Sequence, residues 1–185
     1  MRVIAGSARR LLLKTVEGMD TRPTTDRIKE TLFNMLQPQL PDCVFLDLFS
    51  GSGAIGIEAL SRGARLAVMV ENDPKAAACI RENLGRTRLE DKAVVMNCDV
   101  ISGLRKLEGR NHRFDVVFMD PPYDHDHEKT VLEYLAHSPM VTEDAIIVIE
   151  ASRGTDFTWL PQYGYHMMKE KEYKTNKHVF VGKGE

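Results

Sequence analysis

The stretch Val44-Phe-Leu-Asp-Leu-Phe-Ser-Gly-Ser-Gly-Ala-Ile-Gly56 joins a run of apolar residues to a glycine-rich turn and then to an apolar segment. Val44–Leu48 has the length and composition of a buried strand, and Ala54–Arg62 is expected to be a helix. Gly51 and Gly53 permit a tight turn and the close approach of a ligand to the backbone. A strand, a glycine turn and a helix in this order are typical of a nucleotide-binding α/β fold.

Strands and helices alternate along the chain after this turn. Further strands are expected at Leu66–Glu71, Ala93–Met96, Phe114–Met119 and Ala145–Glu150, and further helices at Pro74–Gly85, Val100–Leu107 and Glu128–His137. Five strands separated by helices predict a mostly parallel sheet with helices on both faces. The tail adds two expected strands, Tyr163–Lys171 and His178–Val181, as an antiparallel pair at the edge. The predicted fold is therefore α/β with a seven-stranded sheet.

The first forty residues precede this alternating pattern. Two short strands, Arg2–Ala5 and Leu11–Thr15, are expected around a turn at Gly6-Ser7. A helix capped by Thr24 or Thr25 is then expected to run to Leu36. We therefore divide the chain into an N-terminal hairpin and helix, residues 1–40, and a ligand-binding domain, residues 41–185.

The net charge of −2 conceals an uneven distribution. Residues 1–40 have a balance of +3 and residues 165–185 a balance of +2, whereas residues 41–164 have a balance of −7. Positive segments attract polyanions through long-range fields and counterion release. Nucleic-acid binding by the two chain ends is therefore a hypothesis that composition allows.

Composition also argues against several protein classes. No apolar run is long enough for a signal peptide or a membrane span, which favours a cytoplasmic protein, and nothing demands more than a monomer. The cysteines are spaced neither as a disulfide framework nor as zinc ligands, so no metal is expected. They are Cys43, Cys79 and Cys98. The histidines are expected to be solvent-exposed polar residues. They are His112, His125, His127, His137, His166 and His178.

An acidic residue lies at the carboxyl end of each of the first four strands. These residues are Asp47, Glu71, Asp99 and Asp120. Ligands bind beyond the carboxyl ends of the strands in open parallel sheets, so all four are expected at one binding rim. Glu71, twenty residues after Gly51, can accept both hydroxyls of a ribose. Asp99 can accept an adenine amino group or cap the following helix. The pattern fits an adenosine-containing cofactor and suits NAD as well as S-adenosylmethionine.

Asp120-Pro-Pro-Tyr123 follows the fourth strand and separates these possibilities. An exocyclic amine on a base is a poor nucleophile, because its lone pair is delocalised into the ring. Two acceptors on its N–H groups free that lone pair, and the Asp120 carboxylate and the Pro121 carbonyl can supply them. The prolines fix φ and remove competing donors. Tyr123 can stack on a base drawn out of its strand.

These motifs resemble those of the class I S-adenosylmethionine-dependent methyltransferases, whose amino-methylating branch carries a [DNS]-P-P-[YFW] signature. The resemblance implies a Rossmann-like fold and catalytic roles for Asp120, Pro121, Pro122 and Tyr123. It also implies a set of cofactor-binding residues that spans the first three strand ends. They are Asp47, Phe49, Gly51, Gly53, Glu71, Asn72 and Asp99. The product would be S-adenosylhomocysteine.

A closer resemblance covers nearly the whole chain. Arg2-Val-Ile-Ala-Gly6, Arg22-Pro-Thr-Thr-Asp-Arg27 and Glu30-Thr-Leu-Phe-Asn34 look like segments of the RsmD family, the guanine-N2 methyltransferases of small-subunit ribosomal RNA. So do the glycine turn, where Ser50 stands in place of a common alanine, and the short final strands. The resemblance implies methyl transfer to N2 of one guanine in 16S rRNA, within the assembling 30S subunit.

The basic N-terminal residues are candidates for contact with RNA phosphates. The candidate set is Arg2, Arg9, Arg10, Lys14, Arg22, Thr24 and Arg27. Arg22 and Arg27 have an alternative role, in ion pairs with the neighbouring acids Asp20, Asp26 or Glu30. Arg9, Arg10 and Lys14 form an unpaired run in the sequence, which favours the phosphate interpretation.

Two other functions use part of the same pattern. An adenine-N6 methyltransferase shares the Asp120–Tyr123 chemistry, but the DNA enzymes usually carry a target-recognition region for which this chain has little room. An NAD-dependent oxidoreductase uses a similar glycine turn, but gives no reason for Asp120–Tyr123. Binding of NAD but not of S-adenosylhomocysteine would identify the oxidoreductase. Adenine methylated at N6 would identify the adenine enzyme.

Overall fold

The computed structural model describes residues 1–18, 25–123 and 126–184. Within these ranges the strands form one sheet in the order β3-β2-β1-β4-β5-β7-β6. The strands are β1 (Val44–Leu48), β2 (Leu66–Val70), β3 (Ala93–Met96), β4 (Phe114–Met119), β5 (Val141–Ser152), β6 (Tyr165–Glu172) and β7 (Asn176–Lys183). The helices are α1 (Asp26–Leu36), α2 (Ala54–Ser61), α3 (Pro74–Thr87), α4 (Val100–Glu108) and α5 (His127–Ala136).

The pairing of the strands confirms the predicted sheet. β1 to β5 run parallel to one another, and β7 pairs antiparallel with both β5 and β6. The C-terminal strands therefore form the expected antiparallel pair at the edge, with the last strand inserted next to the parallel part. All five parallel strands end at the same edge, which is the rim where a ligand is expected.

Two hydrophobic cores cover the two faces of the sheet. One contains side chains of α4 and α5, such as Leu104 and Leu132, together with Val44, Leu46 and Leu48 of β1. The other contains α1, α2 and α3 and the alternate side of β1. Successive strand residues point to opposite faces, so a strand that is apolar throughout is buried on both sides. Helices on both faces confirm that prediction.

Helix starts are set by capping side chains that the sequence supplies. The Thr25 hydroxyl accepts the Ile28 N–H at the start of α1, as expected for one of the two candidate caps. Asp73 caps α3, which begins at Pro74, and Asp99 caps α4 through the Ser102 N–H at 2.9 Å. Each cap fixes the point at which the chain turns from the strand end into a helix.

The predicted N-terminal hairpin is present in a shorter form. In place of two full strands there is one antiparallel bridge between Arg2 and Leu12, flanked by backbone hydrogen bonds between residues 1–3 and 10–13, and the turn spans residues 7–10 rather than Gly6-Ser7. The Glu58 carboxylate accepts the Ile4 and Ala5 N–H groups at 2.9 and 3.1 Å. These two donors are therefore not available to a longer strand ladder, and helix α2 holds this part of the segment.

The remaining boundaries differ from the predicted ones by a few residues. The largest difference is β5, which begins at Val141 rather than at Ala145. The register of its pairing with β4 shifts between Phe114 and Val116. The polar residues at the start of β5 lie in this irregular part, which is why an apolar pattern did not reveal them. Among the described residues, no helix has the length and apolarity required to span a membrane.

Candidate active site

The glycine turn after β1 adopts a backbone that few residues tolerate. Gly51 and Gly53 have φ values of +58° and +82°, and Phe49 has φ +61°. A positive φ is uncommon for a residue other than glycine and indicates local strain. The Ser50 hydroxyl donates to the Asp47 carbonyl at 2.7 Å, and the Gly53 N–H donates to the Ser50 carbonyl. This closed turn places predicted cofactor residues at the carboxyl end of β1.

Gly56 lets helix α2 approach the sheet closely. A Cβ atom at this position would lie 2.7 Å from the Met69 sulfur and 3.3 Å from Asp47 Oδ2. The Gly56 N–H donates to that same Asp47 oxygen at 3.1 Å. The third glycine of the motif therefore serves helix–strand packing, and it brings the first turn of α2 against the Asp47 carboxyl group.

Asp47 lies beneath the turn rather than on its surface. Its side chain is 1% exposed, and burial raises its pKa to about 8. Within the described ranges, Oδ1 of Asp47 accepts no hydrogen bond. The negative fields of Asp120 and Glu71 also act on this carboxyl group. Asp47 is therefore largely protonated at neutral pH, and it supports the turn from behind.

The next two strand ends carry the other predicted cofactor residues. Glu71 accepts the Gly51 N–H through Oε1 and the Asp73 N–H through Oε2, both at 2.8 Å. Asn72 is exposed beside it. Asp99 is exposed at the α4 N terminus, where bonds from Ser102 lower its pKa. Carboxylate oxygens have further lone pairs, so Glu71 can accept ribose hydroxyls while holding the turn.

The structure therefore offers a suitable cradle for an adenosine-containing cofactor. A Cβ atom added at Gly51 would meet no atom of the described residues within 4 Å, so the backbone there borders open space. Glu71 lies on one side of this space, because its Oε1 accepts the Gly51 N–H. The carboxylate oxygens of Glu71 and Asp99 can accept hydrogen bonds from ribose hydroxyls and from an amino group.

Asp120-Pro-Pro-Tyr123 lies at the carboxyl end of β4, next to the glycine turn. β4 pairs with β1, and Met119 is the register partner of Leu48. Pro121 is buried, whereas Pro122 is exposed and Tyr123 is 38% exposed. An exposed aromatic ring beside the cofactor cradle has a chemistry that suits stacking on a flat ligand.

A row of polar side chains beside Asp120 was not predicted from the sequence. It consists of Glu150, Asn176, His178 and Tyr173. Met119 pairs with Ile149, so Asp120 stands beside Glu150 at the end of β5, and Glu150 is the register partner of His178 on β7. Glu150 is another acid at the carboxyl end of a parallel strand, so the recurrence that identified the other four could have identified it. The expectation that the histidines are solvent-exposed is wrong for His178, which is 0% exposed.

The row is held by hydrogen bonds across three strands. The carboxyl groups of Asp120 and Glu150 are neighbours that influence each other's pKa. Asn176 Nδ2 donates to Glu150 Oε1 at 2.7 Å, and His178 Nε2 lies 3.5 Å from the same oxygen. The Tyr173 hydroxyl lies 3.3 Å from His178 Nδ1. The Asp120 side chain therefore lies beside a polar network that connects β5 and β7.

Burial controls the protonation of this row. It raises the pKa of Asp120 well above its ordinary range, and repulsion from Glu150 adds to the shift. Burial also raises the pKa of Glu150, against the effect of its hydrogen bonds from Asp120 and Asn176. The pKa of His178 falls to about 4, because burial disfavours the imidazolium. His178 is therefore neutral at physiological pH.

The predicted RNA-contacting residues differ in their surroundings. The expectation that Lys14 is unpaired is wrong, because its ammonium group lies 3.0 Å from Glu82 on α3. Arg2 pairs with Asp26 at 3.3 Å. The exposed side chains of Arg9, Arg10 and Arg27 make no ion pair with another described residue. Arg22 and Thr24 lie outside the described residues, as do Asp20 and His125.

The N-terminal segment runs along α2, from the ligand rim to the opposite edge of the sheet. Asn83 connects its end to the rim by bonding both the Lys14 carbonyl and the Ser52 carbonyl of the glycine turn, each at 3.0 Å. The turn preceding Arg9 and Arg10 lies at the other end of α2, where the Ser7 and Ala8 N–H groups bond Ser61. An eight-residue helix, about 12 Å long, separates these two arginines from the rim.

Comparisons with known proteins place this site in a family context. A family model described as Conserved hypothetical protein 95 matches residues 1–182. YlbH of Bacillus subtilis (strain 168), whose name proposes rRNA methyltransferase activity, is 40% identical over 173 residues, which cover 93% of this chain and 92% of that protein. Ribosomal RNA small subunit methyltransferase D of Haemophilus influenzae is 34% identical over 172 residues, or 92% of this chain and 88% of that protein.

A solved structure supports the same relationship. The Escherichia coli protein yhhF, described as a proposed methyltransferase, superimposes with a TM-score of 0.85 at 30% identity. The alignment covers 100% of this chain and 98% of that one. The predicted Rossmann-like fold of the class I methyltransferases is thereby confirmed, including its mostly parallel seven-stranded sheet.

Proposed function

Because the chain belongs to the RsmD family of ribosomal RNA methyltransferases, we propose that it transfers the methyl group of S-adenosylmethionine to the N2 amine of a guanine in 16S rRNA. One observation carries the proposal within the site: Asp120-Pro-Pro-Tyr123 lies at the carboxyl end of β4, next to the glycine turn of β1. An acceptor for an amine and a cradle for adenosine therefore share one rim.

S-adenosylmethionine, when bound, supplies a methyl group on an electrophilic sulfonium centre. Gly51, Gly53 and Phe49 would lie against its methionine part, Glu71 and Asn72 against the ribose, and Asp99 against the adenine. Asp47 supports this cradle through Gly56. These residues hold the donor in a fixed place, so catalysis consists chiefly of positioning.

The Asp120 turn would hold and activate the target amine. The Asp120 carboxylate and the Pro121 carbonyl accept its two N–H groups, which frees the nitrogen lone pair for attack. Pro122 keeps the turn rigid, and Tyr123 stacks on the extruded base. The nitrogen becomes cationic and acidic after transfer, so the proton departs to the nearest carboxylate without a strong base.

The N-terminal forty residues are proposed as an RNA-contacting extension of the methyltransferase domain. Arg9, Arg10 and Arg27 are exposed cations suited to phosphate contact. With 16S rRNA in the assembling 30S subunit as substrate, the protein would act in the cytoplasm, and nothing in this mechanism requires a metal or a second copy. Family membership favours this function over the oxidoreductase.

Nucleoside analysis of rRNA tests the proposed function. Small-subunit rRNA from a strain lacking this protein would be digested and compared by mass spectrometry with that of its parent strain. We expect the loss of one N2-methylguanosine and its return when the gene is restored. A loss of N6-methyladenosine instead would establish an adenine enzyme that acts on RNA, and unchanged rRNA nucleosides would refute the proposed function.

A further inference from the structure

The carboxyl groups of Asp120 and Glu150 form a pair that no substrate contact explains. β4 and β5 bring them together, because Met119 and Ile149 are partners in the parallel ladder. Glu150 Oε1 receives the Asn176 amide, while Oε2 is buried and has no N–H donor among the described residues. A proton shared between the two carboxyl groups would give this oxygen the partner that it lacks.

The surroundings of the pair oppose two negative charges. His178 from β7 faces Glu150, but burial lowers its pKa to about 4 and keeps it neutral. The pKa of Tyr173, from the turn before β7, rises to about 12, so it is neutral as well. Asp47 from β1, whose pKa burial raises to about 8, supplies no positive charge to the pair either. Two adjacent carboxylates in such a site retain one proton between them.

We propose that Glu150 is a positioning residue that shares one proton with Asp120, so that the pair titrates as a unit and governs the acceptor state of Asp120. This inference rests on the proposed methyl transfer for its consequence. While the shared proton lies on Asp120, that carboxyl group cannot act as a charged acceptor. When the proton lies on Glu150 instead, Asp120 is an anion whose oxygen lone pairs can face the amine. Glu150 therefore fixes both the charge and the direction of the acceptor.

The same pair takes up the proton that the reaction releases. The N–C bond forms as the S–C bond breaks, which leaves the nitrogen cationic. Its N–H bond then breaks and the proton passes to the Asp120 carboxylate, so the pair holds two protons and is neutral. When the product leaves, Asp120 faces the open rim and returns one proton to water. The protein ends with the single proton with which it began.

Carboxyl titration of the free protein tests the shared proton without any substrate. Protein labelled with ¹³C in the Asp and Glu carboxyl groups would be followed by NMR from acid to mildly alkaline pH, in the wild type and in Glu150→Gln. In the wild type we expect one carboxyl group of the Asp120–Glu150 pair to titrate well above the ordinary range, in addition to Asp47. The amide keeps the shape and can donate to Asp120, so in Glu150→Gln the Asp120 signal should titrate lower by about one pH unit or more.

The pH dependence of methyl transfer tests the consequence. With undermethylated 30S particles and labelled S-adenosylmethionine, we expect the acid limb of the single-turnover rate to move to lower pH in Glu150→Gln, by the same shift as the NMR signal. Glu172→Gln is the matched control, because Glu172 is an exposed carboxylate on β6 that pairs with Arg153. It should leave the limb and the Asp120 signal unchanged.

The outcomes separate this inference from the proposed function. Ordinary titration of both carboxyl groups in the wild type overturns the shared proton, whatever the activity. A rate that falls at every pH without movement of the limb overturns the role of Glu150 in governing Asp120 and leaves it a structural contact. Absence of any methyl transfer by the wild type refutes the proposed function, while the NMR titration still decides the shared proton.

Discussion

Asp47 carries a carboxyl group that the fold keeps protonated. In the folded protein its pKa is about 8, against an ordinary value of 3.8 in the unfolded chain. Between these values the folded state binds one more proton, so this residue makes stability fall as pH rises, by about 1.4 kcal/mol per pH unit. Asp47→Asn has no such proton and can still accept the Gly56 N–H. We expect its stability relative to wild type to increase from pH 5 to pH 7.

Urea unfolding at several pH values measures this difference. The background titration of other groups is common to both proteins and cancels in the comparison. Wild-type and Asp47→Asn curves that run parallel against pH would mean that Asp47 is ionised in the folded state. The claim that it supports the turn as a neutral group would then be wrong.

Asp120 is the residue on which amine activation depends. We expect Asp120→Ala to abolish methyl transfer, while the affinity for S-adenosylhomocysteine in calorimetry stays within a few-fold of wild type. The reason is that Asp120 would contact the base and not the cofactor. Asp144→Ala, which removes an exposed carboxylate from the irregular part of β5, is the control and should stay active. An active Asp120→Ala enzyme contradicts the hydrogen-bond account of amine activation.

The residues of the site differ in how far the sequence reveals them. Asp120 and Glu71 are recognisable because each follows an apolar strand within a motif whose chemistry is local. His178 is not recognisable, because its neighbour Glu150 lies twenty-eight positions away and the pairing depends on the register of β5 with β7. Burial of a histidine is a property of that pairing and not of the adjacent sequence.

At the scale of elements, the N-terminal segment is attached to α2 through buried charges. Glu58 and Lys29 are both fully buried and lie 3.4 Å apart, and Lys29 also donates to the Arg2 carbonyl at 2.6 Å. Arg62 approaches the other Glu58 oxygen at 2.9 Å. A buried carboxylate with two cationic partners and two backbone donors is fully satisfied, so it fixes the segment in one position.

Gly6 is the point at which this segment turns against α2. Its φ is +88°, and a Cβ atom there would lie 1.8 Å from the Ser61 carbonyl oxygen. We expect Gly6→Ala to lower the free energy of unfolding by about 2 kcal/mol or more, because backbone strain and a steric clash add together. Gly85→Ala is the matched control. Gly85 lies within α3 with no described atom within 4 Å of the added Cβ, so it should gain about 0.5–1 kcal/mol.

Chemical denaturation of the two variants measures the expected decrease and the expected increase in the free energy of unfolding. A Gly6→Ala protein as stable as wild type would show that the segment can detach from Ser61 at no cost.

The elements of the fold differ in how well the sequence predicts them. The apolar periodicity of β1 and β4 predicted their bounds correctly. The N-terminal pairing is shorter than predicted because Glu58, far along the chain, accepts the Ile4 and Ala5 N–H groups. Local patterns do not reveal such long-range competition.

At the scale of the whole molecule, acidic and basic groups occupy different regions. The carboxyl ends of the parallel strands carry several acids, and they lie within residues 41–164, whose net charge is −7. Residues 1–40 have a net charge of +3. Such an arrangement repels phosphates from the carboxylate rim and attracts them to the N-terminal segment. An RNA bound there would present a single base, rather than its backbone, to the rim.

This arrangement predicts which cations govern RNA affinity. We expect Arg9→Ala combined with Arg10→Ala to weaken binding of small-subunit rRNA fragments and to flatten its dependence on salt. Each lost phosphate contact should lower the log–log slope by about 0.9 or less. The two arginines lie at the far end of α2, so the cofactor affinity should not change.

Arg110→Ala combined with Arg113→Ala is the matched control for this double variant. It removes the same charge from exposed residues that precede β4, at the edge of the sheet opposite the rim. Fluorescence anisotropy at several salt concentrations gives the slopes of both double variants and the wild type. If both variants lower the slope equally, RNA responds to net charge alone. A selective effect of Arg9 and Arg10 means that the phosphate backbone extends along α2, at least one helix length from the reacting base.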